Sequence, residues 1–271
     1  MKTAFVISAS PTRFSAIAYN PDLEKNISNI AQLGFDGIEL GIRNPSEVDI
    51  DLIKKVTDEC GLKICAIGTG QAYGDEGLSF SSPDADIRRQ AIQRIREQIT
   101  FASELDAAVI IGLIRGRSCE SVSKAQALEW AKEALLESLE LAEKKNARML
   151  IEPINRYETD LLNTVPETID FVKELQSSRI SLLLDTFHMN IEEVSICESI
   201  KRTGDLIGHV HVADSNRWAP GCGHLDFGEV VDVLKSIGYT GFLSAEILPL
   251  PDIDTAARVS IRTLRSLLAE N

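Results

Sequence analysis

The chain has 271 residues, 41 of them acidic and 28 basic, for a formal charge of −13. With 44% apolar and 25% charged residues it reads as a folded globular chain, which excludes a disordered or collagen-like one. No run approaches the roughly 18 apolar residues of a membrane span, and the acidic surplus argues against a nucleic-acid partner, which asks for a basic face.

Short β-rich runs alternate with segments of helical period. Met1 to Ser10 is apolar but lacks the basic start and small-residue cleavage site of a leader peptide, so it reads as the first strand. Eight strand candidates follow in order: Thr3–Ser8, Gly37–Leu40, Lys63–Ile67, Ala108–Leu113, Met149–Pro153, Ile180–Leu184, Ile207–Val212 and Phe242–Ile247. A helix able to follow the first opens at Asn20-Pro21, carries Leu23, Ile27 and Ile30 on one face, and stops at Gly34. Ser82-Pro83 opens another, with Ile87, Ala91, Ile95 and Ile99 as its stripe. Leu128, Ala131, Leu135, Leu139 and Ala142 mark a third by steps of three and four. Thr164 with Glu167, and Asp226 with Glu229, have capping-box spacing.

Two junctions nearly repeat, Leu33-Gly-Phe-Asp-Gly37 and Ile237-Gly-Tyr-Thr-Gly241, with Gly34 and Gly238 expected to close helices in the left-handed conformation. Strict alternation implies parallel strands and right-handed crossovers. Eight such units close into a single (β/α)₈ barrel, class α/β, spanning residues 1–271 as one domain. An open doubly wound sheet is the competitor, but no G-x-G-x-x-G follows the first strand. The five cysteines form no C-x-x-C, so a disulfide framework or thiolate zinc site is not expected, and a reducing cytoplasm is.

Barrel enzymes place working residues at the C-terminal ends of their strands. Strand five ends Leu150-Ile-Glu152, strand six Leu183-Leu-Asp185 and strand eight Ser244-Ala-Glu246, while strand seven contains His209-Val-His211. Period-two alternation puts Glu152, Asp185, His211 and Glu246 at the mouth of four successive strands if that side is the interior. One such carboxylate could equally cap a helix or pair with a base. Three converging carboxylates repel and call for a cation, and three oxygens with one imidazole suit Mn²⁺, Mg²⁺ or Co²⁺. His209, one layer deeper, reads as a hydrogen-bonded core histidine, Glu39 as structural, and His224 as exposed or in contact with the next helix. Polar clusters at Asn155–Glu158, Thr186–His188 and Asp214–Arg217 follow these strand ends on the functional rim.

The stretches Glu152-Pro-Ile-Asn-Arg-Tyr-Glu158, Asp185-Thr-Phe-His-Met-Asn-Ile-Glu-Glu193, His209-Val-His-Val-Ala-Asp-Ser-Asn-Arg217 and Ala245-Glu246 resemble the ketose 3-epimerase family, within the xylose-isomerase-like barrel superfamily. The resemblance covers essentially the whole chain and is densest from 150 to 250. It implies a metal-dependent epimerase that inverts C3 of a free ketose of the D-allulose, D-fructose or D-tagatose type. Glu152, Asp185, His211 and Glu246 match the family's metal ligands, usually holding Mn²⁺. Glu152 and Glu246 match its acid/base pair, and Glu158, His188 and Arg217 match residues that hold the sugar near its carbonyl. A homo-oligomer, dimer or tetramer, is implied as well.

Other readings stay open. Arg115 and Arg117 follow strand four and could clamp a carboxylate, which would suit a keto sugar acid; an ion pair to an acidic loop is the plainer role. Gln71, with Tyr73 and Trp218, is a candidate for contact with the far end of the sugar. An aldose–ketose or hydroxypyruvate isomerase would use a similar barrel but move hydrogen between C1 and C2. No glycine-rich cradle suggests a phosphorylated sugar. A DNA-repair endonuclease of related barrel type would need more than four histidines and a basic groove. A non-catalytic sugar-binding barrel would not need both the metal ring and the acid/base pair.

Overall fold

The computed structural model describes residues 1–19 and 21–269. Eight parallel strands run Lys2–Ser8, Gly37–Gly41, Lys63–Gly68, Ala108–Ile111, Arg148–Ile151, Ile180–Asp185, Ile207–His211 and Phe242–Ala245, each hydrogen-bonded to the next. Strand one also pairs with strand eight, so the sheet closes into a barrel. A two-residue strand, Ala18–Tyr19, pairs with Ile7 and Ser8, beside the part of strand one that lies beyond its pairing with strand eight. Each expected strand is present, within two residues at either end.

Helices Leu23–Leu33, Ile50–Cys60, Ala85–Ser103, Lys124–Lys145, Val165–Glu174, Ile196–Thr203, Phe227–Ser236 and Ile253–Ala269 follow the strands in turn. Short helices Gly70–Gly74 and Thr186–Glu192 are added after strands three and six. The stripes behave as their spacing requires: Ile27, Ile30, Ala91, Ile95, Ile99, Ala131, Leu135, Leu139 and Ala142 are all buried. Two helix starts differ from expectation. The caps are Asp22 and Asp84, whose carboxylates accept from Lys25 N and Asp86 N, so the helices begin at Leu23 and Ala85. An acidic side chain both accepts the free N–H groups and meets the positive end of the helix dipole, and here it prevails over the Ser82-Pro83 signal. Asn20 lies outside the described residues. Thr164 and Asp226 cap as their spacing indicated.

At the repeated junctions Gly34 and Gly238 have φ of 91° and 75°, the left-handed region that glycine enters without strain. Phe35 then packs on Phe5 with centroids 5.6 Å apart, and the Tyr239 hydroxyl donates to Phe242 O at 2.9 Å. Outward residues such as Phe5, Leu40, Ile67, Ile111, Met149, Leu184 and Leu243 join the main apolar core. Ala66, Ala108, Ile110, Leu150 and Leu183 form a separate small cluster. Register then fixes which side chains share the inward face: Leu183 is opposite His209, Asp185 opposite His211, and His211 opposite Ser244. Among the described residues no helix is long and apolar enough to cross a membrane.

Candidate active site

Strands five to eight each deliver one donor at their upper ends. Glu152 continues the ladder past strand five, its N–H donating to Ile111 O at 3.2 Å. Asp185 closes strand six and caps the next helix: Oδ1 accepts from Phe187 N at 2.8 Å, which leaves Oδ2 directed elsewhere. His211 closes strand seven, and Glu246 lies one residue beyond strand eight. One ligand atom from each of the four lies within 4.8 Å of all the others. His211 Nδ1 stands 3.7 Å from Glu152 Oε1, 3.9 Å from Asp185 Oδ2 and 3.8 Å from Glu246 Oε2.

These separations are too long for hydrogen bonds. Glu152 Oε1, Asp185 Oδ2 and His211 Nδ1 are buried without a partner, an arrangement that costs free energy for each atom left so. Two donors sharing one ion at about 2.1 Å stand roughly 3.0 to 4.2 Å apart as their angle opens from a right angle to a straight line. The observed spacings fall in that span. The residues present therefore fit a divalent ion of the hard or borderline type.

The charges point the same way. Burial, reinforced by Glu152 and Glu246, pushes the Asp185 carboxyl up to about 7, and burial with Glu246 nearby raises Glu152. Burial works against a charged His211, but Glu39, Glu246 and Glu152 outweigh it and hold its pKa well above the ordinary imidazole range. Positive charge is wanted at this point.

His188 stands over the cluster, its Nε2 3.8 Å from both Glu152 Oε1 and Asp185 Oδ2. Burial first, then Arg217, keeps this ring neutral, with a pKa well below the usual value. Asn155 Nδ2 lies 2.7 Å from His188 Nδ1 and donates to Glu158 Oε1 at 3.0 Å, so one amide ties the two side chains together. Arg217 donates to Glu246 Oε2 at 3.0 Å and to Glu158 Oε1 at 3.3 Å, and its guanidinium lies 4.9 Å from the Phe187 ring centroid. Arg217 has φ of 61°, unusual for a residue with a side chain. Its loop is gathered by the Asp214 carboxylate, which accepts from Ser215, Gly221 and Leu225 N–H groups.

A cleft opens above the four side chains. Its lining mixes polar side chains, Glu152, His188, His211, Arg217 and Glu246 among them, with Gly41, Gly68, Gly112 and the apolar Phe14, Ile17, Leu113 and Ile154.

A family profile described as xylose isomerase-like TIM barrel matches residues 27–267. The chain belongs to that family. It is 31% identical to the L-ribulose 3-epimerase of Mesorhizobium japonicum, over 95% of this chain and 86% of that one. It is 32% identical to the D-psicose 3-epimerase of Ruminiclostridium cellulolyticum, over 84% and 79% of the two chains. A crystal structure of D-psicose 3-epimerase with D-tagatose, from Clostridium cellulolyticum H10, superposes with a TM-score of 0.84 at 27% identity, covering 99% of both chains. The chain is thus an enzyme of the isomerase class, a sugar epimerase.

Several residues singled out from the sequence lie away from the cleft of this barrel. Arg115 is fully buried, and its guanidinium donates to the carbonyls of Leu161, Gly112 and Leu162 at 3.1, 2.9 and 3.3 Å. It is neither a clamp for a substrate carboxylate nor half of an ion pair, because backbone oxygens take its donors. Arg117 is exposed, and Gln71 is buried past the end of strand three, donating to Ser8 Oγ at the end of strand one at 2.7 Å; neither lines the cleft. Arg156 and Tyr157 point outward, the former paired with Glu192. Trp218 and Tyr73 also stand off the lining, and His224 is exposed, with Nδ1 2.9 Å from Ser215 Oγ.

Glu39 was the residue whose place sequence reasoning missed. It lies 1% exposed in the barrel interior and lines the cleft floor. Its flanks explain the placement: Ile38 and Leu40 both join the main core outside the barrel, so the residue between them faces inward.

Proposed function

We propose that this chain inverts C3 of a free ketose of the D-allulose, D-fructose or D-tagatose type, with Glu152 and Glu246 as the acid/base pair. The reading is carried by the convergence of Glu152, Asp185, His211 and Glu246 with three buried, unpartnered ligand atoms, and the 3-epimerase relatives support it. Mn²⁺, with Co²⁺ or Mg²⁺ as alternatives, would be held by these four side chains and supplies Lewis-acid polarisation of the substrate carbonyl when bound.

The chain's own residues do the rest. A C3 hydrogen is acidic because the electron pair left behind spreads onto the C2 carbonyl as an enediolate. Inversion needs removal of that proton from one face and return of another to the opposite face. Glu152 and Glu246 rise from strands five and eight, on either side of Asp185 and His211. One takes the proton as a carboxylate while the other delivers one as a carboxylic acid, and the roles exchange in reverse. His188, Glu158 and Arg217 orient the oxygens on C1 and C2. A homo-oligomer, dimer or tetramer, in a reducing cytoplasm completes the proposal; the five free cysteines accord with that setting.

Turnover of a ketose panel in D₂O with Mn²⁺ tests it. Deuterium is expected at C3 alone, and Glu152→Gln and Glu246→Gln should each cost at least about 10²-fold in turnover with metal still bound. Label at C1, or near-native turnover in either variant, would overturn the scheme. The keto sugar acid reading loses its support, since Arg217, paired with Glu158 and Glu246, is the one guanidinium among the described residues lining the cleft.

A further inference from the structure

One of the four donors, His211, also belongs to a second polar cluster whose other members the chemistry above does not use. Glu39 Oε2 stands 2.9 Å from His211 Nε2, 3.0 Å from His209 Nε2 and 3.2 Å from Ser244 Oγ. All four residues are buried. The partners come from strands seven and eight and reach Glu39 on strand two past the middle of strand one, where Val6 is level with Glu39 and Ala4 with Ser244. With Glu39, His209 and His211 already at hydrogen-bond distance, this group is closed upon itself and awaits no ion of its own.

The two nitrogens of His211 therefore meet different neighbours. Nε2 faces a carboxylate, which accepts only, whereas Nδ1 faces three carboxylate oxygens at 3.7 to 3.9 Å and has no hydrogen-bond partner. A neutral imidazole carries one proton, and its position is set by what the other nitrogen meets. His209 and Ser244 donate to the same Glu39 oxygen, which keeps the carboxylate from rotating away. We infer that Glu39 is a positioning residue that fixes His211 in the Nε2–H form, aims the Nδ1 lone pair at the converging donors, and thereby sets the affinity of the site for a divalent cation. The inference rests on the four-donor cluster being the metal site, as proposed above.

Titration of Mn²⁺ into the metal-free wild-type protein and Glu39→Gln, followed by the paramagnetic resonance of free Mn²⁺, reads this directly. Glutamine keeps the shape, but its amide donates as well as accepts, so the tautomer is no longer imposed. A Kd about 10- to 100-fold weaker is expected, with the metal-free thermal transition retained. A folded Glu39→Gln with a Kd within about twofold of wild type would overturn the inference. Nitrogen-15 spectra of the wild-type protein loaded with Mg²⁺ give an answer without any variant, and four histidines are few enough to assign. His211 should carry its proton on Nε2; a proton on Nδ1 would overturn the inference. Asp185→Asn in the same titration separates two failures. If Asp185→Asn also leaves the Kd unchanged, the metal-site reading falls; if it abolishes binding while Glu39→Gln does not, only the role of Glu39 falls.

Discussion

Gly112 provides the space in which the Glu152 carboxylate lies: a Cβ built on Gly112 would stand 3.1 Å from Glu152 Oε2. The two residues follow Ile110 and Leu150, which are partners in the register of strands four and five. Gly112→Ala should push the carboxylate aside by a few tenths of an ångström while the barrel still forms. Misplacement of a reacting group by about 1 Å costs about 10²-fold, so a fall in kcat of about tenfold is expected from steady-state assays, with Tm lowered by a few degrees at most.

Arg115 is predicted to matter for stability and not for substrate choice. Burial lowers its guanidinium pKa to about 10, so it stays charged at neutral pH while bridging Gly112 to the 161–162 turn. Arg115→Met would strand the buried Leu161 carbonyl and take one of two donors from Gly112 O and Leu162 O, at a cost of about 3 kcal/mol. Denaturant unfolding should show that loss. The ratio of kcat/KM between a neutral ketose and a keto sugar acid should stay the same in whatever variant protein folds.

Phe14 seats against Gly70 and Gly74, four residues apart on one short helix, and a Cβ on Gly74 would approach its ring to 2.5 Å. Because Phe14 lines the cleft and is not one of the four converging side chains, Gly74→Ala should unseat its ring while leaving those four in place. A several-fold rise in KM with kcat nearly unchanged is the expected signature of lost uniform binding, read from steady-state kinetics.

Metal uptake should displace protons. Burial, with Glu152 and Glu246, holds Asp185 protonated up to about pH 7, and Glu152 and His211 are raised as well. A cation takes the ionised carboxylates and an unprotonated imidazole nitrogen. Affinity for Mn²⁺ should therefore weaken as pH falls below about 7, by roughly tenfold per unit for each proton displaced. Calorimetry in two buffers of different ionisation enthalpy should count at least one proton released per ion near pH 6.5; a flat affinity with none released would contradict this.

The barrel and its four donors were legible because both depend on short periods. Eight strand–helix alternations fix the closure, and residues 150 and 152, 183 and 185, 209 and 211, and 244 and 246 must face alike. Glu39 was harder: Gly37–Gly41 is buried at every position, so polarity alone does not separate inside from outside. Arg115 was out of reach for another reason. Its partners are backbone oxygens at Leu161 and Leu162, 46 and 47 positions away, and a carbonyl leaves no trace in residue type. The helix starts slipped by two residues; Ser82 and Asp84 are rival caps, and only the fold shows which one accepts the hydrogen bond.

The lining of the cleft divides along the polypeptide. The four proposed ligands come from residues beyond 150, whereas Phe14, Ile17, Gly41 and Gly68 belong to the first 70. Tailoring which sugar fits can therefore be sought in those early loops, leaving Glu39, Gly112 and the four ligands as they are. Libraries aimed at new selectivity are best confined to these positions.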